Sequence, residues 1–332
     1  MAYVAGDQIL DDQYIAFASS SSAPYGYNHF AGTGSGEYGL GQTALGLVNA
    51  GDTITAAQWN SLFTAMANIA NHTNDTLTST GAVTAGDTIA VKAALEADLA
   101  TLAASVANGC PNVSAGALTT SAGTAATQTT EGWDATSTQE LTATFASADA
   151  MRWFFNAGGK IRVTVGTTQA SINPKDQAFI DLGTALGNLD IGGHRVSRSG
   201  TGETSTTFAD TSGGFYDLTG TANTYVSLIK LTSDNTNYTS NSIEISAKID
   251  AAIGTSTVMT IKMVATDSAA DDQYTPGNTP NNIPAAVKDT PRMVTTLFTL
   301  TPNSSEGLTA PNYGPASAAA PALAVLTNNS TT

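Results

Sequence analysis

The run Met151-Arg152-Trp153-Phe154-Phe155-Asn156-Ala157-Gly158-Gly159-Lys160-Ile161-Arg162-Val163-Thr164-Val165 is the densest concentration of aromatic and β-branched side chains in the sequence, and any fold must bury it. Its second half alternates Ile161, Val163 and Val165 with Arg162 and Thr164, the period of a half-buried strand. Its first half admits two readings. As a hairpin arm, Met151–Phe155 pairs with Lys160–Val165 across an Asn156–Gly159 turn. As a helix, it takes Ser147 as N-cap and sets Ala150, Phe154 and Ala157 on one face with Trp153 beside it. It then ends at Gly158, where a left-handed C-cap belongs. The helix accounts for more residues. Under either reading Trp153, Phe154, Phe155, Gly158 and Gly159 are candidates for the structural core of a packed domain.

Upstream of this run the period is helical. Thr55 with Gln58 reads as a capping box, and Trp59, Leu62, Phe63, Met66 and Ile69 recur at helical spacing, which adds Trp59 and Phe63 to the candidate core. A further helix sets Leu95, Leu99, Leu102 and Val106 on one face. That seam has two destinations: the chain's own Trp59–Ile69 helix, or a second subunit, in which case these four residues are a candidate oligomer interface. The short echo Ala5-Gly6-Asp7, Ala50-Gly51-Asp52 and Ala85-Gly86-Asp87 precedes helices, with Asp or the following Thr able to cap. Ser19–Gly41 is rich in Ser, Gly and Tyr and reads as a looped arm.

Gly109–Thr130 is a Gly/Ala/Ser/Thr-rich connection, and beyond it the period becomes twofold. Leu141, Ala143 and Phe145 alternate with threonines. Asn173-Pro174 then opens a helix carrying Phe179, Leu182 and Leu186 and ending at Gly187. Tyr225–Leu231, Ser242–Ile249, Val258–Ala265 and Met293–Leu300 read as strands between polar turns. The expected fold is therefore mainly β with α: an extended, helix-containing attachment module over 1–125, a β-sandwich-like domain with short helices over 126–308, and a low-complexity tail over 309–332 that is ordered only if something holds it.

Composition narrows the function. Only 12% of the residues are charged, against roughly 25% in an ordinary globular protein, while 41% are apolar. The balance is made up by small and hydroxyl residues, which suits a β-rich structural protein. A net charge of −15 repels phosphate backbones, so nucleic acid is not an expected partner. The lone Cys110 rules out an intrachain disulfide and a multi-cysteine zinc site. No secretory signal and no apolar run of membrane-spanning length is present, so synthesis in a cytoplasm without membrane insertion is expected.

The search for chemistry returns no catalytic, cofactor-binding or metal set. His29, His72 and His194 stand far apart, without metal-ligand spacing. Gly32-Thr33-Gly34-Ser35-Gly36 lacks the lysine of a phosphate loop. Asp11-Asp12 suits a helix start, and Asp271-Asp272 a loop. Nothing places two carboxylates across a sugar as a glycosidase requires. Arg152, Arg162, Arg195 and Arg198 read either as partners of local acids or as a docking surface for an acidic neighbour.

Arg152-Trp153-Phe154-Phe155-Asn156-Ala157-Gly158-Gly159, followed by a basic strand, resembles a motif of virion structural proteins of tailed bacteriophages, especially marine and cyanobacterial ones. The segments Gly6-Asp7-Gln8-Ile9, Tyr25-Gly26-Tyr27-Asn28-His29-Phe30 and Thr55-Ala56-Ala57-Gln58-Trp59-Asn60-Ser61-Leu62 resemble the same tail-, neck- or fibre-associated family, so the likeness spans most of residues 1–300. It implies a non-enzymatic particle component at the tail, neck or baseplate. Such a component is made in the host bacterial cytoplasm and is located in the virion. It works as a homo-oligomer alongside other virion proteins, with a trimer suggested only by fibre-like phage proteins. Two alternatives stay open: a host-recognition module that binds or cleaves carbohydrate, with a host-surface glycan as partner, and a capsid decoration protein.

Overall fold

A computed structural model describes residues 11–19, 25–31, 44–73, 75–79, 81–82, 84, 92–107, 118–128, 133, 135–168, 174–218, 224–235, 238–268, 290–302 and 319–330. The chain divides into two compact units. The first comprises Met1–Thr119, Ala148–Gly159 and Thr301–Ala319, and the second Thr120–Ser147, Lys160–Leu300 and Ala320–Thr332.

The first unit holds helices α1 (Asp11–Ser19), α2 (Tyr27–Ala31), α3 (Ala56–Thr73), α4 (Lys92–Ala107) and α5 (Ala148–Asn156). The capping box that starts α3 is formed: Thr55 N–H donates to Gln58 Oε1 at 2.7 Å and Gln58 N–H to Thr55 Oγ1 at 3.3 Å. Trp59 meets Tyr14 edge-on at 5.7 Å and lies 5.8 Å from Phe17 and 6.0 Å from Phe63, ring centre to ring centre. Leu95, Leu99, Leu102 and Val106 are buried in one cluster with Trp59, Leu62, Met66 and Ile69, and α4 packs on α3. The seam on α4 is thus covered by the chain itself. As an oligomer interface that seam is corrected: four side chains already enclosed by α3 offer no surface to a second copy. Beside that seam on the same helix, the buried Asp98 carboxylate fixes the segment before α4. It accepts from Thr78 N–H at 3.0 Å, from Ser79 N–H at 2.8 Å and from both hydroxyls.

The run Met151–Val165 takes the helix-turn-strand form. α5 ends in two crossed bonds, Gly159 N–H to Phe154 C=O at 2.9 Å and Gly158 N–H to Phe155 C=O at 3.0 Å. Gly158 sits at φ +87°. This is a Schellman closure, which needs a residue free of Cβ at the left-handed position.

The second unit is the β-sandwich-like part, two antiparallel six-stranded sheets. One sheet contains β1 (Leu118–Thr120), β2 (Thr124–Thr127), β4 (Lys160–Thr167), β5 (Leu189–Ile191), β6 (Val196–Arg198) and β11 (Met293–Pro302), in the order β1-β11-β4-β5-β6 with β2 also on β11. The other orders β12 (Ala322–Ser330), β3 (Thr136–Thr144), β10 (Val258–Thr266), β9 (Ser242–Ile249), β8 (Val226–Thr232) and β7 (Thr204–Phe208). Twofold alternation buries Leu141 and Ala143 of β3 and Ile161, Val163 and Val165 of β4. Helix α6 (Pro174–Leu186) packs on β4 and also touches β8 and β9. The residues read from sequence as a tail include β12, and what holds that strand is β3, paired from Ala322 opposite Thr144 to Ser330 opposite Ser137 with a register shift between Val325 and Thr327.

Candidate functional site

Chemistry on this chain has to be sought on the polar face of the second sheet, because alternation sends every second side chain of β3, β8, β9 and β10 away from the core. Register places Lys262 of β10 opposite Glu140 of β3, and Lys230 of β8 opposite Glu244 of β9. Tyr225, just before β8, lies beside the Lys262–Glu140 pair. Lys262 Nζ stands 3.9 Å and Lys248 Nζ 4.7 Å from its ring centre, so two ammonium groups contact one π system. Its hydroxyl donates to Glu140 Oε1 at 2.6 Å, and Glu140 Oε2 accepts from Thr327 Oγ1 of β12 at 3.1 Å. Burial first, then the hydrogen bond to Glu140 and that carboxylate's charge, push the Tyr225 phenol well above its ordinary value. It stays protonated and acts as a donor. The arrangement can grip a hydroxylated or partly charged ligand, and it contains no nucleophile with a base behind it.

The other sequence candidates are held in structural contacts. Phe154 and Phe155 are fully buried and meet edge to face at 5.2 Å, while Trp153 is half-buried. Gly159 has no room for a side chain: a Cβ there would stand 2.6 Å from Phe154 O and 2.8 Å from its ring. Trp59 and Phe63 lie in the helical cluster described above. His29 stacks on Tyr25 at 4.1 Å, with burial lowering its pKa, and His194 stacks on Tyr216 at 4.6 Å.

The arginines meet acids close by. Arg162 forks onto Asp190 at 2.6 and 2.8 Å, Arg152 reaches Asp149 at 3.0 Å, and Arg195 reaches Asp210 at 3.4 Å. Arg198 instead donates to Ala185 C=O at 3.4 Å and lies over Phe208. Asp11 does stand at a helix start, where it accepts from Gly51 N–H at 2.7 Å. Cys110, the Gly32–Gly36 run, Asp271-Asp272 and the His72 side chain lie outside the described residues. Among the described residues no three metal-binding side chains gather, and no helix is long and apolar enough to cross a membrane.

Two polar features were not read from the sequence. Gln139 is buried on β3. Its amide donates to Ala126 C=O at 2.8 Å, to Met293 C=O at 3.2 Å and to Asn328 Oδ1 at 3.0 Å, and its Oε1 accepts from Thr295 Oγ1 at 2.6 Å. One side chain thereby joins β3 to β2, β11 and β12. Lys175, in the first turn of α6, forms a fully buried ion pair with Asp267 at 2.9 Å. The signal for Gln139 was present, a glutamine at an inward position of an alternating strand, but three of its four partners, Met293, Thr295 and Asn328, lie more than a hundred residues away. Comparison with protein-family models, curated proteins and solved structures finds no match to this chain.

Proposed function

We propose that this chain is a non-enzymatic structural component of a tailed-bacteriophage virion, attached at the tail, neck or baseplate, where it contributes to particle assembly or host contact. The observation that carries the reading is the build of the segment on which the resemblance rests. In Arg152–Gly159 the phenylalanines are consumed by packing, the glycines by a helix closure, and Arg152 by a neighbouring carboxylate. Packing, helix closure and ion pairing account for most of the motif, which supports reading it as structural. The hydroxyl-rich, charge-poor composition of a particle protein agrees with it. Quantitative mass spectrometry of purified particles of the encoding phage tests it. A fixed, low copy number matching tail or neck symmetry is expected, hundreds of copies would move the protein to the capsid surface as decoration, and absence from washed particles would overturn the reading.

A second reading, host-glycan contact, is favoured by Tyr225 with its two lysines and Glu140. A sugar offers C–H groups to an aromatic face and hydroxyls to the charged groups around it. Loss of glycan-array binding in Tyr225→Ala, with the fold retained, supports it. No binding by the native chain removes it.

A further inference from the structure

Exposed sheet edges invite pairing with another chain, and proteins ordinarily blunt them with shortness, charge or bulges. Three edges here follow that rule: β1 has three residues, β6 has three and carries Arg198, and β7 has five, begins after Glu203 and is bulged between Ser205 and Thr207. The fourth edge, β12, does not. It is nine residues long, and from Gly307 to Thr332 the sequence contains no Asp, Glu, Lys or Arg. Among the described residues, its only strand partner is β3. Leu326 is 57% and Val325 43% exposed, two of the few large apolar side chains so placed. The register shift between Val325 and Thr327 marks a bulge at Leu326. Elsewhere a bulge discourages pairing by aiming a charge or a twist outward. This one aims a leucine.

We propose that the outer edge of β12 is a self-association surface, on which two copies of this chain meet antiparallel about a twofold axis at Val325–Leu326. The occupant follows from charge. Copies bearing −15 each repel over most of their surfaces, and a twofold contact sets the same uncharged edge on both sides, where that repulsion is least. Pairing with β7 of another copy would instead bring Glu203 to the contact and leave β12 ends free to propagate. The inference is independent of the virion reading, since it concerns only how copies of the chain meet.

Size-exclusion chromatography with light scattering tests it on the full chain. The native protein is expected at twice the 33.7 kDa chain mass at tens of micromolar. Leu326→Asp and Leu326→Lys should each run as monomers with unchanged circular dichroism, and mixing the two should restore the doubled mass. The pair Val325→Asp and Val325→Lys repeats the test at a neighbouring exposed position. A monomeric native chain, single variants that keep the doubled mass, or a mixture that stays monomeric would each overturn the proposal.

Discussion

At the scale of single residues, side chains that are absent matter as much as those present. Gly159 is flanked so closely by Phe154 that even a methyl group must displace backbone or ring, so Gly159→Ala is expected to lower stability by about 1–3 kcal/mol, the usual cost of overpacking. Chemical denaturation with intrinsic fluorescence would measure it, and an unchanged midpoint would mean that the α5 closure is looser than described. Asp98 makes a pH-dependent case. Burial alone would raise its pKa, but hydrogen bonds from Ser79 and Thr78 outweigh that and hold the carboxyl below its ordinary value. A depressed pKa means that the stabilisation is complete above the unfolded value and is lost as pH falls through the folded one. The melting temperature of the native chain should therefore exceed that of Asp98→Asn at neutral pH, and the gap should close as pH falls below the ordinary carboxylate range. A gap that persists into strong acid would contradict the assignment.

At the scale of elements, α6 shows how packing overrides propensity. A glycine inside a helix normally costs about 1 kcal/mol relative to alanine. Yet a Cβ at Gly183 would stand 2.7 Å from Val165 O on β4, so here the helix lies on its strand because the side chain is missing. Gly183→Ala is expected to destabilise, opposite in sign to the propensity rule, and a higher melting temperature for the variant would refute this. Elements of this kind were legible in the sequence where their signals are local. The Pro174 start and Gly187 stop bound α6, Asn173 itself lying outside the described residues, the Thr55/Gln58 box starts α3, and strict alternation marks β3, β9 and β10. The unread elements lack local signals. β5 and β6 have three residues each, too few for a period, and β12 follows a low-complexity stretch and owes its order to pairing with β3, which lies far upstream in sequence. The α4 seam was seen correctly as apolar, but periodicity cannot say which helix covers it. Tyr225 stood at a recognisable strand start, whereas its lysines and Glu140 arrive only through sheet register.

At the scale of the whole molecule, the second unit is tied across its two sheets by polar contacts as well as by apolar burial. Gln139→Leu keeps the volume but strands the acceptors and the Thr295 hydroxyl around it, and is expected to cost about 1–3 kcal/mol for the unmet hydrogen bonds. Urea denaturation would read that loss, and a leucine variant as stable as the native chain would show that apolar packing alone holds β2, β11 and β12 to β3. On the proposed reading, the chain does its work by occupying a place in a particle and holding it. The most direct test of the virion proposal is a cryo-electron microscopy reconstruction, at side-chain resolution, of the tailed-phage particle to which that proposal assigns the chain. The account predicts density for this chain in the tail, neck or baseplate, with Phe154 and Phe155 enclosed as described here. Complete density for those parts with no place for this chain would contradict it.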